Sequence, residues 1–526
     1  MSDSALLNLI LYLPVIGMVL LVPARSDGAV RQITFWTMLL QFALTAWLYL
    51  QFQPGVAGLQ FETRLPWIAS WGVHYHIGLD GFNVLLVLLT AFLGPLVVAG
   101  AFSAITKDVK LFYAMVFLIQ FTMLGTFVAQ DLFLFYVFWE AMLIPMFLII
   151  GIWGGERRIY ATVKFVLYTA FGSILMLAAI IYLVYSLQQG TGVTSFSFAE
   201  LYRHRLPVDI QGWLLAAFAL SFAIKVPIVP LHTWLPDAHV EAPTAGSVIL
   251  AGVLLKMGTY GFIKLGFPLF PDAARAASNW VMLAAVVSIV YGACLALVQT
   301  DIKKIIAYSS ISHLGYVMLG LASLDLIGIQ GAIIQMVSHG LTAAGLFLMV
   351  GMIYERCHTR DLAAYGGLAK VLPVYSVFFM VLTLAAIGLP TTSGFTGEFL
   401  VLLGAFNAAW PSYTAGQSVP LVMAVTAVTG VVLGAMYMLY FAQRFLYGAV
   451  KVPHGPVTDL NFRERAILVT LVAAVFWLGL FPNEALRKTE VAALQYQKWV
   501  DVAARPAATA SAPISLPTVR NGEGTR

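Results

Sequence analysis

Four ionisable side chains lie within apolar stretches that are long enough to cross a lipid bilayer: Glu140, Lys225, Lys256 and Glu398. Placing one charged group at the centre of a bilayer costs roughly 2.5–3.5 kcal/mol on insertion scales, so four isolated charges cost on the order of 10 kcal/mol. That total is comparable with the stability of a whole domain. We therefore expect the two acids and two amines to be paired, hydrated, or both.

Helix-breaking residues accompany three of these charges. Two prolines follow Lys225 directly, and because proline has no N–H they are predicted to leave the carbonyls of Ala223 and Val226 without helical partners. Pro145 follows Glu140 in the same way, and Pro390 lies shortly before Glu398.

Broken helices with a buried charge beside the break are typical of ion sites near the middle of transporters. Backbone groups freed inside hydrocarbon occur only where protein covers them or where they line a wet cavity. The pattern therefore indicates proton transfer at the breaks. Two alternatives remain open: a kinked structural helix whose lysine reaches towards an interface, and static ion pairs that hold helices together.

Two histidines, His313 and His339, lie in later spans, between Lys256 and Glu398 in sequence. Imidazole titrates near neutrality, which suits a proton relay, and His232 after the first break is a weaker candidate for the same role. Each of them could instead be a hydrogen-bonded packing residue.

Other kinds of site are not indicated. His232 and His239 supply too few ligands for a zinc site, and Cys294 and Cys357 fit no spacing typical of metal clusters. No phosphate-binding loop or dinucleotide fingerprint is present. We expect no cofactor, metal or nucleic acid to bind this chain.

The composition is that of an integral membrane protein. Of 526 residues, 60% are hydrophobic and 10% are charged, whereas soluble domains carry about 25% charged residues. A window of about 20 apolar residues predicts about fourteen membrane helices in an all-α polytopic fold. The predicted spans lie near 5–22, 32–52, 79–102, 111–129, 132–152, 161–187, 211–230, 245–265, 279–298, 305–321, 328–354, 373–408, 420–440 and 465–481.

The seventh and twelfth predicted spans are expected to be broken, the latter because 373–408 is too long for one straight helix. The longest polar segments are 53–78, 188–210 and the tail after Pro482, whose end is expected to be poorly ordered.

Positive charges predict the orientation in the membrane. Most lysines and arginines follow odd-numbered spans, which places those loops in the cytoplasm and both termini outside. Loops after even-numbered spans hold only Arg64, Arg203, Arg205 and Arg275. Arg487 and Lys488, just beyond the last span, argue mildly against this orientation.

Residues 225–247 read KVPIVPLHTWLPDAHVEAPTAGS and are followed by Leu254-Leu-Lys256. This run resembles the signature of the antiporter-like subunits that occur in respiratory complex I and in multisubunit Na⁺/H⁺ antiporters. The resemblance implies two inverted five-helix repeats, helices 4–8 within 111–265 and helices 9–13 within 279–440. Helices 1–3 (1–110) would precede them, and a last helix and tail (441–526) would follow.

The resemblance also implies roles for individual residues. Glu140 and Lys225 match the glutamate–lysine pair of the family, Lys256 matches its central lysine, and His313 and His339 fall on its polar axis. Most members have lysine in the twelfth span, whereas this chain has Glu398, as in the M-type subunits of bacterial complex I and their mitochondrial equivalent, subunit four.

The implied function is proton translocation driven by quinone reduction elsewhere in NADH:quinone oxidoreductase. The implied setting is the membrane arm, in the bacterial inner membrane, between two related antiporter-like subunits. FMN, iron–sulfur clusters and quinone would be held by partner subunits. An antiporter subunit without redox partners and a structural spacer that does not pump are the alternatives.

Overall fold

The computed structural model describes residues 3–453, 455 and 457–503. Over these residues the chain is predominantly helical, as the composition predicts. Residues 504–526, the end of the predicted polar tail, lie outside the described part of the chain.

A β-hairpin interrupts the N-terminal helices. The elements are α1 (Asp3–Leu20), α2 (Asp27–Gln51), β1 (Gln60–Ile68), β2 (Val73–Leu79) and α3 (Val84–Gly100). The two strands pair antiparallel, so the all-α prediction is wrong for the polar segment 53–78. A search for long apolar helices passes over this segment, but it is rich in the β-branched and aromatic residues that favour strands.

The next group of helices contains the predicted break at Lys225 and a second interruption near Glu140. The elements are α4 (Val109–Val128), α5 (Leu132–Ala141), α6 (Leu143–Trp153), α7 (Arg158–Thr191), α8 (Phe198–Arg203), α9 (Val208–Lys225) and α10 (Trp234–Glu241). Asp131 caps α5 by accepting hydrogen bonds from the backbone N–H groups of Phe133 and Leu134. The helix that ends at Lys225 breaks as predicted. The interruption between α5 and α6 was not predicted as a break, although Pro145 was expected to loosen the backbone beside Glu140.

One continuous helical stretch widens from α-helical to π-helical geometry at two places. It comprises α11 (Thr244–Ile249), a π-helical segment (Leu250–Leu254), α12 (Leu255–Gly261), a second π-helical segment (Phe262–Gly266) and α13 (Phe267–Leu269). Single π-helical turns inside α-helices are frequent at functional sites, and Lys256 lies directly after the first of them.

The remaining helices contain the third break. They are α14 (Pro271–Leu297), α15 (Ile302–Ala322), α16 (Leu326–Cys357), α17 (Leu368–Val371), α18 (Pro373–Ala386), α19 (Ser393–Thr414), α20 (Val419–Leu446), α21 (Phe462–Leu480) and α22 (Pro482–Ala503). Asp301 and Asp325 cap α15 and α16. The chain leaves helical geometry between α18 and α19, and Glu398 lies in the first turns of α19.

Within the described residues, ten helices are long and apolar enough to cross a membrane, or up to eleven if the bent pair α21–α22 is one span. Three shorter apolar helices, Ser4–Leu20, Val84–Gly100 and Pro373–Ala386, accompany them. The polar segment after Pro482 is helical as far as Ala503, which the sequence analysis did not predict. Its apolar residues Ala493, Tyr496 and Val500 are buried, and a hydropathy window averages such a one-sided helix to a polar value.

The centre of the fold is formed by the helices that carry the polar candidates. Each membrane helix can be compared by its 18-residue apolar segment. All residues of that segment are buried in the stretch Thr244–Leu269 and in α16, and 94% are buried in α15. In α2 and α20 the corresponding share is 33%. Charged groups are tolerated in a bilayer where protein covers them, so the central helices are the ones that can hold them.

Candidate functional site

Lys256, His339, His313 and Glu398 form one chain of bases and acids through the middle of the protein. Lys256 Nζ lies 2.7 Å from His339 Nδ1, and His313 Nδ1 lies 2.9 Å from Glu398 Oε1. The rings of His339 and His313 stand 5.6 Å apart, centroid to centroid. Each of the four residues is at most 8% exposed.

Further polar groups contact the Glu398 end of this series of four side chains. Gln335 Nε2 donates to Glu398 Oε1 over 3.1 Å, and the hydroxyl of Tyr437 lies 3.3 Å from His313 Nε2. The Nε2 atom of His339 has no hydrogen-bond partner among the described residues. The gap between the two imidazole rings is therefore the one step along this chain without a direct hydrogen bond.

The first π-helical segment contributes to the position of Lys256. Besides contacting His339, its Nζ donates to the carbonyl oxygen of Ala251 within that segment. A buried ammonium has three donors to satisfy, and the nearby backbone carbonyl takes one of them.

Glycines bring the relevant helices into close contact. A Cβ atom at Gly258 would lie 2.8 Å from the carbonyl oxygen of Phe222, so glycine allows α12 to pack against the end of α9. A Cβ at Gly340 would lie 2.9 Å from the carbonyl oxygen of Gly252. These approaches set the Lys256 stretch against both the Lys225 break and the helix of His339.

The surroundings of Lys225 are different. Its Nζ lies 3.6 Å from the ring centroid of Trp139 and 3.4 Å from Met142 Sδ. No carboxylate among the described residues lies within ion-pair distance of it, and Glu140 Oε1 has no hydrogen-bond partner there. The structure thus brings Lys225 next to the neighbours of Glu140 without joining the two charges directly.

The break after Lys225 is better satisfied than the prolines alone suggest. The carbonyl of Ala223, predicted to be free, accepts a hydrogen bond of 2.9 Å from Ile228 N. The indole Nε1 of Trp234 donates to the carbonyl of Ile224 over 2.8 Å. The helix therefore ends with its last carbonyls partly paired, which lets Lys225 stand at a helix terminus inside the protein.

His232 is buried in the segment that follows this break. Its ring meets that of Tyr291 at 5.7 Å, and its Nδ1 has no partner among the described residues. No hydrogen bond or ion pair within those residues connects it to the other candidates.

Other buried charged or titratable groups escaped the sequence interpretation. Lys264 Nζ lies 2.5 Å from Asp80 Oδ2, and both residues are buried. Lys264 stands eight positions after Lys256 in the same span, so its sequence position could have indicated a buried amine. Asp80, just before α3, gave no such signal.

His239 and Lys303 are also buried. His239 stacks on Phe347 at 4.6 Å, and neither of its ring nitrogens has a partner among the described residues. Lys303 donates to the carbonyl of Ala242 over 2.6 Å. Its position in sequence, just before the tenth predicted span, had indicated a charge in a loop. In the described part of the chain, no three His, Cys, Asp or Glu residues are grouped as a metal site would require.

Comparison with known proteins agrees with the resemblance of residues 225–247. Residues 129–426 match the family described as NADH:quinone oxidoreductase/Mrp antiporter, TM. NADH-quinone oxidoreductase subunit M of Rhodobacter capsulatus is 44% identical over 494 residues, which cover 91% of this chain and 93% of that protein. Subunit M of Rickettsia prowazekii (strain Madrid E) is 40% identical over 494 residues, covering 92% and 97%.

A chain in the structure "Respiratory complex I from Thermus thermophilus with bound NADH" has the same fold. It aligns with a TM-score of 0.84 and 33% identity, covering 94% of this chain and 99% of that one. The chain belongs to the NADH:quinone oxidoreductase/Mrp antiporter family of transmembrane proteins, in which its relatives include subunit M of NADH-quinone oxidoreductase.

Proposed function

We propose that this chain is a proton-translocating subunit in the membrane arm of NADH:quinone oxidoreductase, and that Glu140, Lys225, Lys256, His339, His313 and Glu398 carry the proton. The observation that supports this most is the chain from Lys256 to Glu398, which alternates proton donors and acceptors through the most deeply buried helices. The subunit M relatives support the redox-coupled assignment over an antiporter subunit.

We take the proton to pass from Lys256 towards Glu398. Neutral His339 accepts a proton from Lys256 at Nδ1 and releases one from Nε2, which has no hydrogen-bond partner among the described residues. Bound water in the gap between the two rings would carry the proton to Nε2 of His313, which passes one from Nδ1 to the carboxylate of Glu398. Each imidazole returns to its neutral form after both transfers, as a relay requires.

Lys225 acts as the switch that loads this relay. Beside Glu140, its ammonium is held by opposite charge; away from Glu140, the buried ammonium is destabilised because desolvation is no longer offset. Moving one proton against about 150 mV requires about 3.5 kcal/mol. Opening one ion pair in a partly dry site is of sufficient size. Lys256, packed against the same break through Gly258, is the acceptor.

The remaining features follow from the same assignment. The chain forms fourteen spans arranged as two inverted five-helix repeats with both termini outside, and it lies between two related antiporter-like subunits in the bacterial inner membrane. This chain holds no redox centre; FMN, iron–sulfur clusters and quinone belong to partner subunits.

The test begins with a tagged chain purified together with its partners. We expect inhibitor-sensitive NADH:quinone reductase activity and, in vesicles, proton uptake that Lys225→Ala abolishes. A small complex without redox activity but with cation-dependent proton exchange would make the chain an antiporter subunit. Normal pumping by an assembled Lys225→Ala complex would make it a structural spacer.

A further inference from the structure

The ammonium of Lys225 rests on an aromatic face instead of on a carboxylate. Its Nζ lies 3.6 Å from the ring centroid of Trp139, well within the range in which a cation is attracted to the negative face of an indole. The same Nζ lies 3.4 Å from the sulfur of Met142. Both contacts are with soft, polarizable groups, and both residues are fully buried.

Other contacts fix the indole ring in this orientation. Trp139 Nε1 donates to Ser173 Oγ over 3.2 Å, so its polar edge is already satisfied. Phe135 stacks against the ring at 5.6 Å, and Phe222 meets it edge-on at 5.4 Å. The ring therefore presents a fixed face to the end of α9 whether or not the ammonium is there.

Trp139 immediately precedes Glu140, and Met142 lies at the interruption between α5 and α6. The carboxylate and the two soft contacts of Lys225 thus come from one short segment. Among the described residues Glu140 Oε1 has no hydrogen-bond partner, while the Trp139 face is occupied. A movement of the flexible lysine side chain towards Glu140 would exchange one contact for the other.

We propose that the face of Trp139 is a second seat for the Lys225 ammonium, and that Trp139 is a positioning residue which holds the charged lysine while Glu140 is released. The proposal rests on the proposed function, because it describes one state of the Lys225 switch. Without such a seat, the opened pair would leave a bare ammonium in a buried site. The aromatic face makes the opened state accessible without supplying a second negative charge that would hold the proton permanently.

Fluorinated tryptophans introduced at position 139 of the complete complex test this proposal. Added fluorine atoms withdraw charge from the ring face and leave its shape almost unchanged, so packing is kept while the attraction for a cation falls. We expect the rate of proton pumping in vesicles to decrease stepwise with each added fluorine. Trp139→Leu, which removes the face altogether, should lower it by roughly 30-fold.

The matched control is the same fluorine series at Trp153. That residue also uses its Nε1 in a hydrogen bond, to the carbonyl of Lys107, and packs edge-on against Phe112, but no cation among the described residues lies over its ring. We expect a flat series there. A flat series at position 139 as well would overturn the proposal and show that Trp139 only packs.

The Lys225→Ala complex separates this inference from the proposed function. If Lys225→Ala abolishes pumping and the fluorine series at 139 is flat, only the second seat is wrong. If Lys225→Ala pumps normally, the switch itself is wrong, and the seat is overturned together with it.

Discussion

The two lysines of the candidate site are buried to nearly the same extent, 2% exposed for Lys225 and 0% for Lys256, but they have different partners. Lys256 contacts an imidazole that begins a chain ending at Glu398. Lys225 contacts a tryptophan face and a sulfur, and Glu140 Oε1 has no hydrogen-bond partner among the described residues. In the proposed function this difference corresponds to a division of work, in which the Lys225 region exchanges partners and the Lys256 region conducts the proton.

A third buried lysine provides the reference for both. Lys264 is paired directly with Asp80 at 2.5 Å, and its backbone carbonyl accepts a hydrogen bond from the hydroxyl of Tyr202. This pair ends in the backbone, because Asp80 Oδ1 accepts hydrogen bonds from the N–H groups of Phe82 and Asn83. We therefore expect Lys264 to be structural although it is buried.

The largest effect on pumping is expected from Lys256→Met, at the first residue of the proposed relay from Lys256 to Glu398. This substitution removes the proton donor to His339 but keeps a side chain of similar length. We expect the pumping rate in vesicles to fall by roughly 100-fold or more, the usual contribution of a positioned acid–base group. The matched control is the double variant Lys264→Met/Asp80→Asn, which removes a buried lysine eight residues away without leaving its acid charged. Equal losses in the two variants would contradict the distinction between conducting and structural lysines.

At the other end of the conducting region, Glu398→Gln keeps a hydrogen-bonding side chain but cannot receive a proton. We expect the pumping rate to fall by roughly 10-fold or more, because His313 then has no carboxylate to which it can release its proton. Glu398→Asp retains the carboxylate on a shorter stem and should recover part of the rate. Pumping at the normal rate by Glu398→Gln would show that the route does not end at this residue.

A smaller effect is expected at Tyr437, whose hydroxyl lies 3.3 Å from His313 Nε2. Tyr437→Phe removes one long hydrogen bond, worth about 1 kcal/mol, from the histidine but leaves its contact with Glu398. We expect the pumping rate to fall no more than about fivefold. A loss as large as that of Lys256→Met would mean that the hydroxyl itself lies on the route.

The smallest effect on pumping is expected from Asp80→Asn. It leaves the buried Lys264 without its counter-charge, and breaking a buried pair in this way typically costs about 3–5 kcal/mol. We expect less assembled complex and a lower thermal midpoint, with the pumping rate per assembled complex unchanged. Poor pumping by the assembled Asp80→Asn complex would show that the Lys264–Asp80 pair is not purely structural.

The sequence predicts the helical spans and their interruptions because both follow from local rules. Apolar windows locate the helices, and the prolines after Lys225 and before Glu398 mark where they break. The hairpin of β1 and β2 and the one-sided helix α22 were missed, because a hydropathy window responds only to segments that are apolar all round. The prediction that the carbonyl of Ala223 is unpaired was also wrong. The N–H of Ile228, five residues later, donates a hydrogen bond to it.

The candidate residues could be chosen from the sequence, but their partners could not. That Lys256 meets His339 depends on the close packing at Gly340, across 83 positions of sequence. That Lys225 rests on Trp139 instead of on Glu140 depends on side-chain orientations at a helix interruption. Such contacts are set by tertiary packing and not by the residues next to a charge.

Glu140→Gln tests most directly whether Lys225 alternates between Glu140 and a released position. The measurement is proton uptake into vesicles, recorded together with NADH oxidation by the assembled complex. We expect the pumping rate to fall strongly and coupled NADH oxidation to fall with it, because the ammonium no longer has a charge to leave and return to. Unchanged pumping per electron at unchanged turnover would show that Lys225 does not act as the switch.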